Sequence, residues 1–439
     1  MPAPPSETTC FVAGAIAITS FVLLTWRGIA LTPDGWAYWQ GAVSIAEGRG
    51  YRLFSGGAIT SWPPLYSLYL SQWTLVMGPT GRGLIVASAV LVGAQAWLWC
   101  HVLQNIWYEA EGAIHRPALF AVAIYLGLFV PLTQQYVLAN VLEYTILPLL
   151  FLAIWRARRA EQASGILGWA AASGVAGSLL LLTHNGGVVF VGTCVLLIAV
   201  KGTERRNRVT AALLAGSLPI VVWMTVRHKL GQDGSHSVGF GGGRYAPSTY
   251  LQQFVWGLWE LVKPSQRTPI IGLGALAVLI AFLVWRRVGR TSLVFGALFA
   301  GIAAGGTYVL FNVVWIYDKL DGRFILFIPI ILVPLVLMSL AKWSTVAFVG
   351  GVVLFLLPQA SRTAAWVHVF MQLSLEKRGY PNYFVPPRAS LSLHYLQGAP
   401  IETETGTILI SPDPLHSKRL LDDMKEADWR KHGGSSGER

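Results

Sequence analysis

The chain has 439 residues, of which 54% are hydrophobic and only 12% charged, against roughly a quarter charged in an ordinary soluble domain. That balance argues against a soluble protein, and recurring apolar runs of roughly 20 residues between Phe11 and Leu356 predict helices that cross a bilayer, not a barrel. The formal charge of +12 falls in short basic clusters between those runs, so it reports membrane topology and excludes a nucleic-acid surface.

Hydropathy predicts an all-α polytopic protein with about eleven spans. In chain order they lie near residues 10–31, 84–107, 117–133, 140–156, 165–183, 186–200, 209–226, 269–285, 292–316, 323–341 and 344–358. The first lacks a basic flank and exceeds the apolar core of a signal peptide, so it is read as a retained span. Between the fifth and sixth, Thr183-His184-Asn185-Gly186-Gly187 predicts a tight turn, because Asn and Gly tolerate positive φ.

Alternation along these spans gathers Arg156, Arg158, Arg159, Lys201, Arg205, Arg206, Arg208, Arg286, Arg287 and Arg290 on one side. Short loops dense in Lys and Arg are cytoplasmic, which also places the N-terminus there. The non-cytoplasmic side then receives residues 32–83, residues 227–268 and the C-terminal tail. Two regions follow: a transmembrane unit over 1–358 and a tail or small module over 359–439. Within the tail, residues 407–410 predict a strand and 418–429 a short charged helix. Cys10, Cys100 and Cys194 have no paired spacing and no His cluster in sequence, so neither a disulfide framework nor a zinc site is expected.

The first outside loop carries the densest signals. Thr32-Pro33-Asp34 has the form of a helix start, with a capping Thr, Pro at the first helical position and an acid in the first turn. Trp36, Tyr38 and Trp39 follow, as expected of a helix lying along the membrane interface from Pro33 to about Glu47. Asp34 and Tyr38 are four apart and share a face. Asp34 either complements the helix dipole or acts as a general base toward an acceptor hydroxyl. After Gly48-Arg49-Gly50-Tyr51 comes Trp62-Pro63-Pro64-Leu65-Tyr66, and Trp62, Tyr66, Tyr69 and Trp73 predict a second interfacial helix.

A first span followed by an acid, an aromatic four residues on, Gly-Arg-Gly-Tyr and Trp-Pro-Pro-Leu-Tyr resembles the start of GT-C membrane glycosyltransferases. More narrowly it is similar to the bacterial branch of protein O-mannosyltransferases, aminoarabinose transferases and lipopolysaccharide-core transferases. The resemblance spans the hydropathy plan of residues 10–358. It implies inverting transfer of a sugar from a polyprenyl-phosphate donor to a glycan, lipid or protein acceptor at the outer face of the plasma membrane, with Asp34 in the catalytic position and Tyr38 beside it at the substrate. Many relatives carry two adjacent acids there, whereas this chain has Pro33-Asp34-Gly35. No paired-acid or metal role is therefore expected at that motif, and no cofactor is indicated, with a divalent metal elsewhere left open.

Three further residues lie at outer ends of spans. Asn140-Val141-Leu142-Glu143 reads as a capping box, while the family's acid at this position implies that Glu143 binds substrate. His184 falls where relatives carry a basic residue, which implies contact with donor phosphate. Arg323, ahead of Pro329 and Pro334, matches the family's Arg-Tyr before a proline-containing helix, with Phe324 replacing Tyr. Its guanidinium offers a fork of donors to phosphate, or else pairs with Asp318 or Asp321. Residues 239–245 are Gly-rich but lack the strand and the Lys-Ser of a phosphate loop, so they read as a connection or a flap. Two rivals stand beside the transferase: a polyprenyl-linked glycan ligase or polymerase, which relies on a late outside loop, and a transporter or flippase, which needs an inverted repeat that is not visible here.

Overall fold

In a computed structural model of the chain, the residues described are 2–26, 28–31, 33–53, 58–59, 62–133, 136–137, 139–199, 210, 218–231, 267–310, 325–372 and 383–385. Among them the helices are α1 (Glu7–Thr25), α2 (Pro33–Ala46), α3 (Leu65–Met77), α4 (Gly81–Glu111), α5 (Arg116–Thr133), α6 (Ala139–Arg159) and α7 (Ala163–Thr183). Then come α8 (Val188–Ala199), α9 (Leu218–Gly231), α10 (Arg267–Trp285), α11 (Arg290–Val309), α12 (Phe327–Trp343) and α13 (Thr345–Gln372). Six of them are long and apolar enough to cross a membrane, and four more are shorter apolar helices. The fold is thus the expected polytopic α-helical one, with α2 and α3 as the two helices of the first loop.

Helix centrality follows composition. The apolar stretches of α4 and α6 are 72% and 78% buried, so these two form the core, whereas that of α13 is 6% buried and faces lipid. Without a hydrophobic force between helices in lipid, close packing relies on small residues. A Cβ on Gly93 of α4 would lie 2.5 Å from Ile18, and one on Gly127 of α5 would lie 2.7 Å from Ile16, so α1 beds closely between the two. Proline is tolerated inside these helices when the carbonyl it frees finds another donor. Pro148 in α6 leaves the Tyr144 carbonyl without its helical partner, and Trp99 Nε1 of α4 donates to that oxygen at 3.2 Å.

Two small sheets mark the two ends of the bundle. At one end β1 (Pro2–Ala3) pairs antiparallel with β3 (Ile114–His115). At the other, β2 (Ile29–Leu31) pairs parallel with β4 (Tyr136–Val137) and antiparallel with β5 (Tyr383–Val385). The first span therefore ends at Thr25, and residues 29–31, expected to extend it, are a strand. Through its pairing with β2, the tail segment 383–385 lies at the same end of the bundle as Asp34. The last helix runs on through Pro358 to Gln372, since an apolar, lipid-facing helix keeps its other hydrogen bonds around a proline.

Two of the basic clusters meet at one end of the bundle, while Lys201, Arg205, Arg206 and Arg208 lie outside the described residues. Arg158 and Arg159 at the end of α6 meet Arg290 at the start of α11. Nearby, Arg156 pairs with Glu109, and Lys342 with Glu111 at 3.5 Å. Residues 201–209, 232–266, 311–324 and 386–439 lie outside the described residues, and with them Arg323, Phe324, the Gly-rich segment 239–245 and the expected strand and helix of the tail.

Candidate active site

The site assembles at the end marked by β2, β4 and β5. β2 delivers the chain to α2, whose first turn carries Asp34, and the α2 carboxylate is exposed. Trp62 Nε1 donates to Asp34 Oδ1 at 3.1 Å. The two first-loop motifs, read separately in sequence, therefore meet: the indole of Trp-Pro-Pro orients the acid.

The chain reverses after α2 through a Schellman motif, in which Gly48 N–H bonds Ile45 O at 3.0 Å and Arg49 N–H bonds Ser44 O at 2.9 Å. Gly48 sits at φ +74°, which only glycine adopts without strain. This turn brings Tyr51 back against α2, where its hydroxyl donates to Trp62 O at 3.1 Å. The same residue holds the loop on both sides, since its ring also lies 6.2 Å from that of Trp223 in α9.

Tyr38 is 1% exposed, so it is a strut between helices and not a wall of the site. Its hydroxyl donates to the Thr183 carbonyl at 3.3 Å, and its backbone carbonyl accepts Ser67 Oγ at 2.8 Å. That bond joins the Asp34 helix to the residue before His184. Burial first, then the neighbouring Tyr51, Asp34, Glu143 and Tyr66, hold the Tyr38 phenol well above its usual range. The carboxylates of α2 and α6 thus both act on this one hydroxyl.

Glu143 lies in the first turns of α6 and is 3% exposed. The capping-box reading does not hold, because α6 already begins at Ala139 and Asn140 is inside it. Instead Asn140 Nδ2 donates to Glu143 Oε2 at 3.0 Å, and His184 Nδ1 stands 3.7 Å from the same oxygen. That second separation is too long for a hydrogen bond and counts as an electrostatic contact. His184 Nδ1 accepts the Gly186 N–H at 3.1 Å, which assigns the proton of the neutral ring to Nε2.

The turn that holds His184 differs from the one expected. Asn185–Gly187 form a single 3₁₀ turn capped by His184, and neither glycine has positive φ. They are required for space: a Cβ on Gly187 would lie 2.7 Å from the Leu180 carbonyl, and one on Gly186 would lie 2.8 Å from His184 Nδ1.

Asp34, Tyr38, Glu143 and His184 therefore belong to one cluster. Trp62, Asn140 and the Thr183 carbonyl complete it in roles that sequence reasoning missed. In sequence Trp62 reads as a packing aromatic and Asn140 as a cap, and a backbone acceptor has no residue signature. For metals, the structure brings Glu7, Cys10 and His101 close enough to share an ion, a grouping their sequence spacing hides. It lies at the far end of α1, a helix about 28 Å long, and so is remote from Asp34.

The buried phenols predict the alkaline limit of the fold. Burial pushes Tyr69, whose hydroxyl donates to Ala87 O at 2.7 Å, up to about 12, and raises Tyr51 as well. Below the unfolded value of 10.0 both states are protonated and stability is intact. As pH rises from there through about 12 the unfolded chain ionises first and stability falls. The melting temperature in detergent should drop over that window, and less steeply for Tyr69→Phe; an identical slope would remove Tyr69 as a cause.

No protein-family model matches the sequence, and no curated protein does either. Two solved structures share its fold. The structure of ArnT from Cupriavidus metallidurans in the apo state aligns with a TM-score of 0.54 and 16% identity, over 78% of this chain and 60% of that one. The same protein bound to undecaprenyl phosphate aligns with a TM-score of 0.50 and 16% identity, over 78% and 61%. This chain thus spans about 60% of the length of the structures it matches. The polytopic α-helical architecture expected from the hydropathy plan is the fold this chain shares with those two structures.

Proposed function

We propose that this chain, with the fold of a GT-C membrane glycosyltransferase, moves a sugar from a polyprenyl-phosphate donor to an acceptor on the outer face of the plasma membrane. The observation that carries the reading is the exposed Asp34 carboxylate held by Trp62, on a helix that Tyr38 ties to Thr183 beside the Glu143–His184 pair. Support also comes from the fold shared with ArnT, one of whose structures holds undecaprenyl phosphate. The side assignment rests on the basic clusters at the opposite end of the bundle.

In this reading Asp34 takes the proton of an acceptor hydroxyl as its oxygen attacks the anomeric carbon. The carbon–oxygen bond to phosphate breaks, and polyprenyl phosphate leaves with the bonding pair. Attack opposite the leaving group inverts the anomeric centre. The phosphate is already a good leaving group, so the protein has mainly to orient the acceptor, accept one proton and offset charge. His184, through its Nε2–H, and Arg323 are assigned to the phosphate, and Glu143 to the substrate hydroxyls or to the His184 charge. Asp34 stands alone at its motif, so no step is assigned to a metal or nucleotide.

The test is transfer by the purified protein in liposomes from polyprenyl-phosphate sugars to envelope glycans and lipids extracted from the source cells, with and without a chelator. The expected result is glycosidic product, of inverted configuration, at the same rate in both. Solute movement across the liposome without any sugar transfer would overturn the reading in favour of a transporter.

A further inference from the structure

The end of the molecule opposite Asp34 holds a cavity that the transfer reaction does not use. It measures about 330 Å³ and is lined by Arg158 and Arg159 from α6 and Arg290 from α11. Apart from Thr291, its remaining wall is apolar, with Trp155 of α6 and Val294, Phe295 and Leu298 of α11. Val294 and Leu298 are 37% and 46% exposed, so this wall opens onto the lipid-facing surface of the bundle. A cationic end that continues into an apolar, bilayer-facing wall has the polarity of a phospholipid.

Arg158 is half-buried while Arg159 and Arg290 are exposed at the mouth of the cavity, and the latter two carry charge that the described residues do not neutralise. Arg156, one residue group away, is neutralised by Glu109, which also accepts Trp155 Nε1 at 2.7 Å. Among the described residues, neither Arg159 nor Arg290 is ion-paired. Arg158 Nη1 donates to Leu197 O at 2.6 Å and so ties the end of α6 to the last turn of α8. The Arg159 guanidinium lies over the Trp155 ring at 5.0 Å, which fixes its direction. Guanidinium forks match phosphate oxygens in geometry, and basic pockets between helices at one membrane face recruit anionic headgroups.

We propose that this cavity binds the phosphate of an anionic glycerophospholipid from the leaflet opposite the reaction, with its acyl chains along Val294 and Leu298. The bound lipid clamps α6 to α11. Because α6 also carries Glu143 at its other end, the lipid stiffens the helix on which the candidate site depends.

The experiment uses full-length protein in phosphatidylcholine nanodiscs with and without phosphatidylglycerol, read by native mass spectrometry of retained lipid and by melting temperature. Wild type should retain phosphatidylglycerol in preference and melt higher in its presence. Arg159→Gln with Arg290→Gln should weaken that retention about 30-fold and abolish the melting shift. Arg286→Gln with Arg287→Gln removes the same charge at the same end but outside the cavity, and should change neither. Equal losses in the two double variants would overturn the proposal, since they would report general surface attraction. So would inorganic phosphate alone raising the melting temperature as far as phosphatidylglycerol does, which would make this a free-anion site. If the first double variant fails to fold, Leu298→Trp fills the apolar wall without altering charge, and retained lipid preference there would overturn the proposal equally.

Discussion

Asp34→Asn is expected to lower sugar transfer by about 10²- to 10⁴-fold, the range that general-base catalysis supplies. The substitution is isosteric, and the amide oxygen of Asn accepts Trp62 Nε1–H as Asp34 Oδ1 does at 3.1 Å, so the start of α2 keeps its geometry. Only basicity is lost. The deficit should therefore appear in kcat, with KM for the polyprenyl-phosphate donor close to wild type, as for an interaction made mainly in the transition state. Trp62→Phe keeps the acid and removes its orienting donor, so its effect should be smaller, about tenfold, as suits one hydrogen bond to a partly solvated carboxylate. The two measurements together separate chemistry from packing. A helix-dipole role for Asp34 predicts a lower melting temperature and unchanged turnover for Asn; wild-type kcat in a normally folded Asp34→Asn protein would remove it as the base.

The helices were legible because lipid leaves a spanning segment no other way to satisfy its backbone, and hydropathy reads that constraint directly. Their ends were less so. Ile29–Leu31 is apolar and follows the first apolar run after only Arg27 and Gly28, and a short apolar run does not distinguish strand from helix; its partners lie at residues 136–137 and 383–385, far along the chain. The last span reads as ending at 358 on hydropathy, whereas α13 continues through Pro358 to Gln372. At the site, Asp34, Glu143 and His184 stood out as polar groups at apolar boundaries. What joins them did not, because Tyr38 bonds a backbone carbonyl 145 residues away and Trp62 reaches Asp34 across 28. Gly186 and Gly187 were noticed for a conformation they do not adopt, and they are needed instead because His184 and Leu180 leave no room for a side chain.

Glu143 yields a prediction in which stability and activity move in opposite directions. A carboxylate that is 3% exposed costs desolvation, which Asn140 at 3.0 Å and His184 at 3.7 Å offset only in part. Glu143→Gln keeps the shape and an acceptor for Asn140 Nδ2 while deleting the charge. If the residue were merely structural, the variant would melt at or below wild type and transfer sugar normally. With Glu143 bearing on both Tyr38 and His184, transfer should instead fall by about 10²-fold, while the melting temperature holds or rises. Wild-type transfer in a normally folded Glu143→Gln protein would return Glu143 to a purely architectural role.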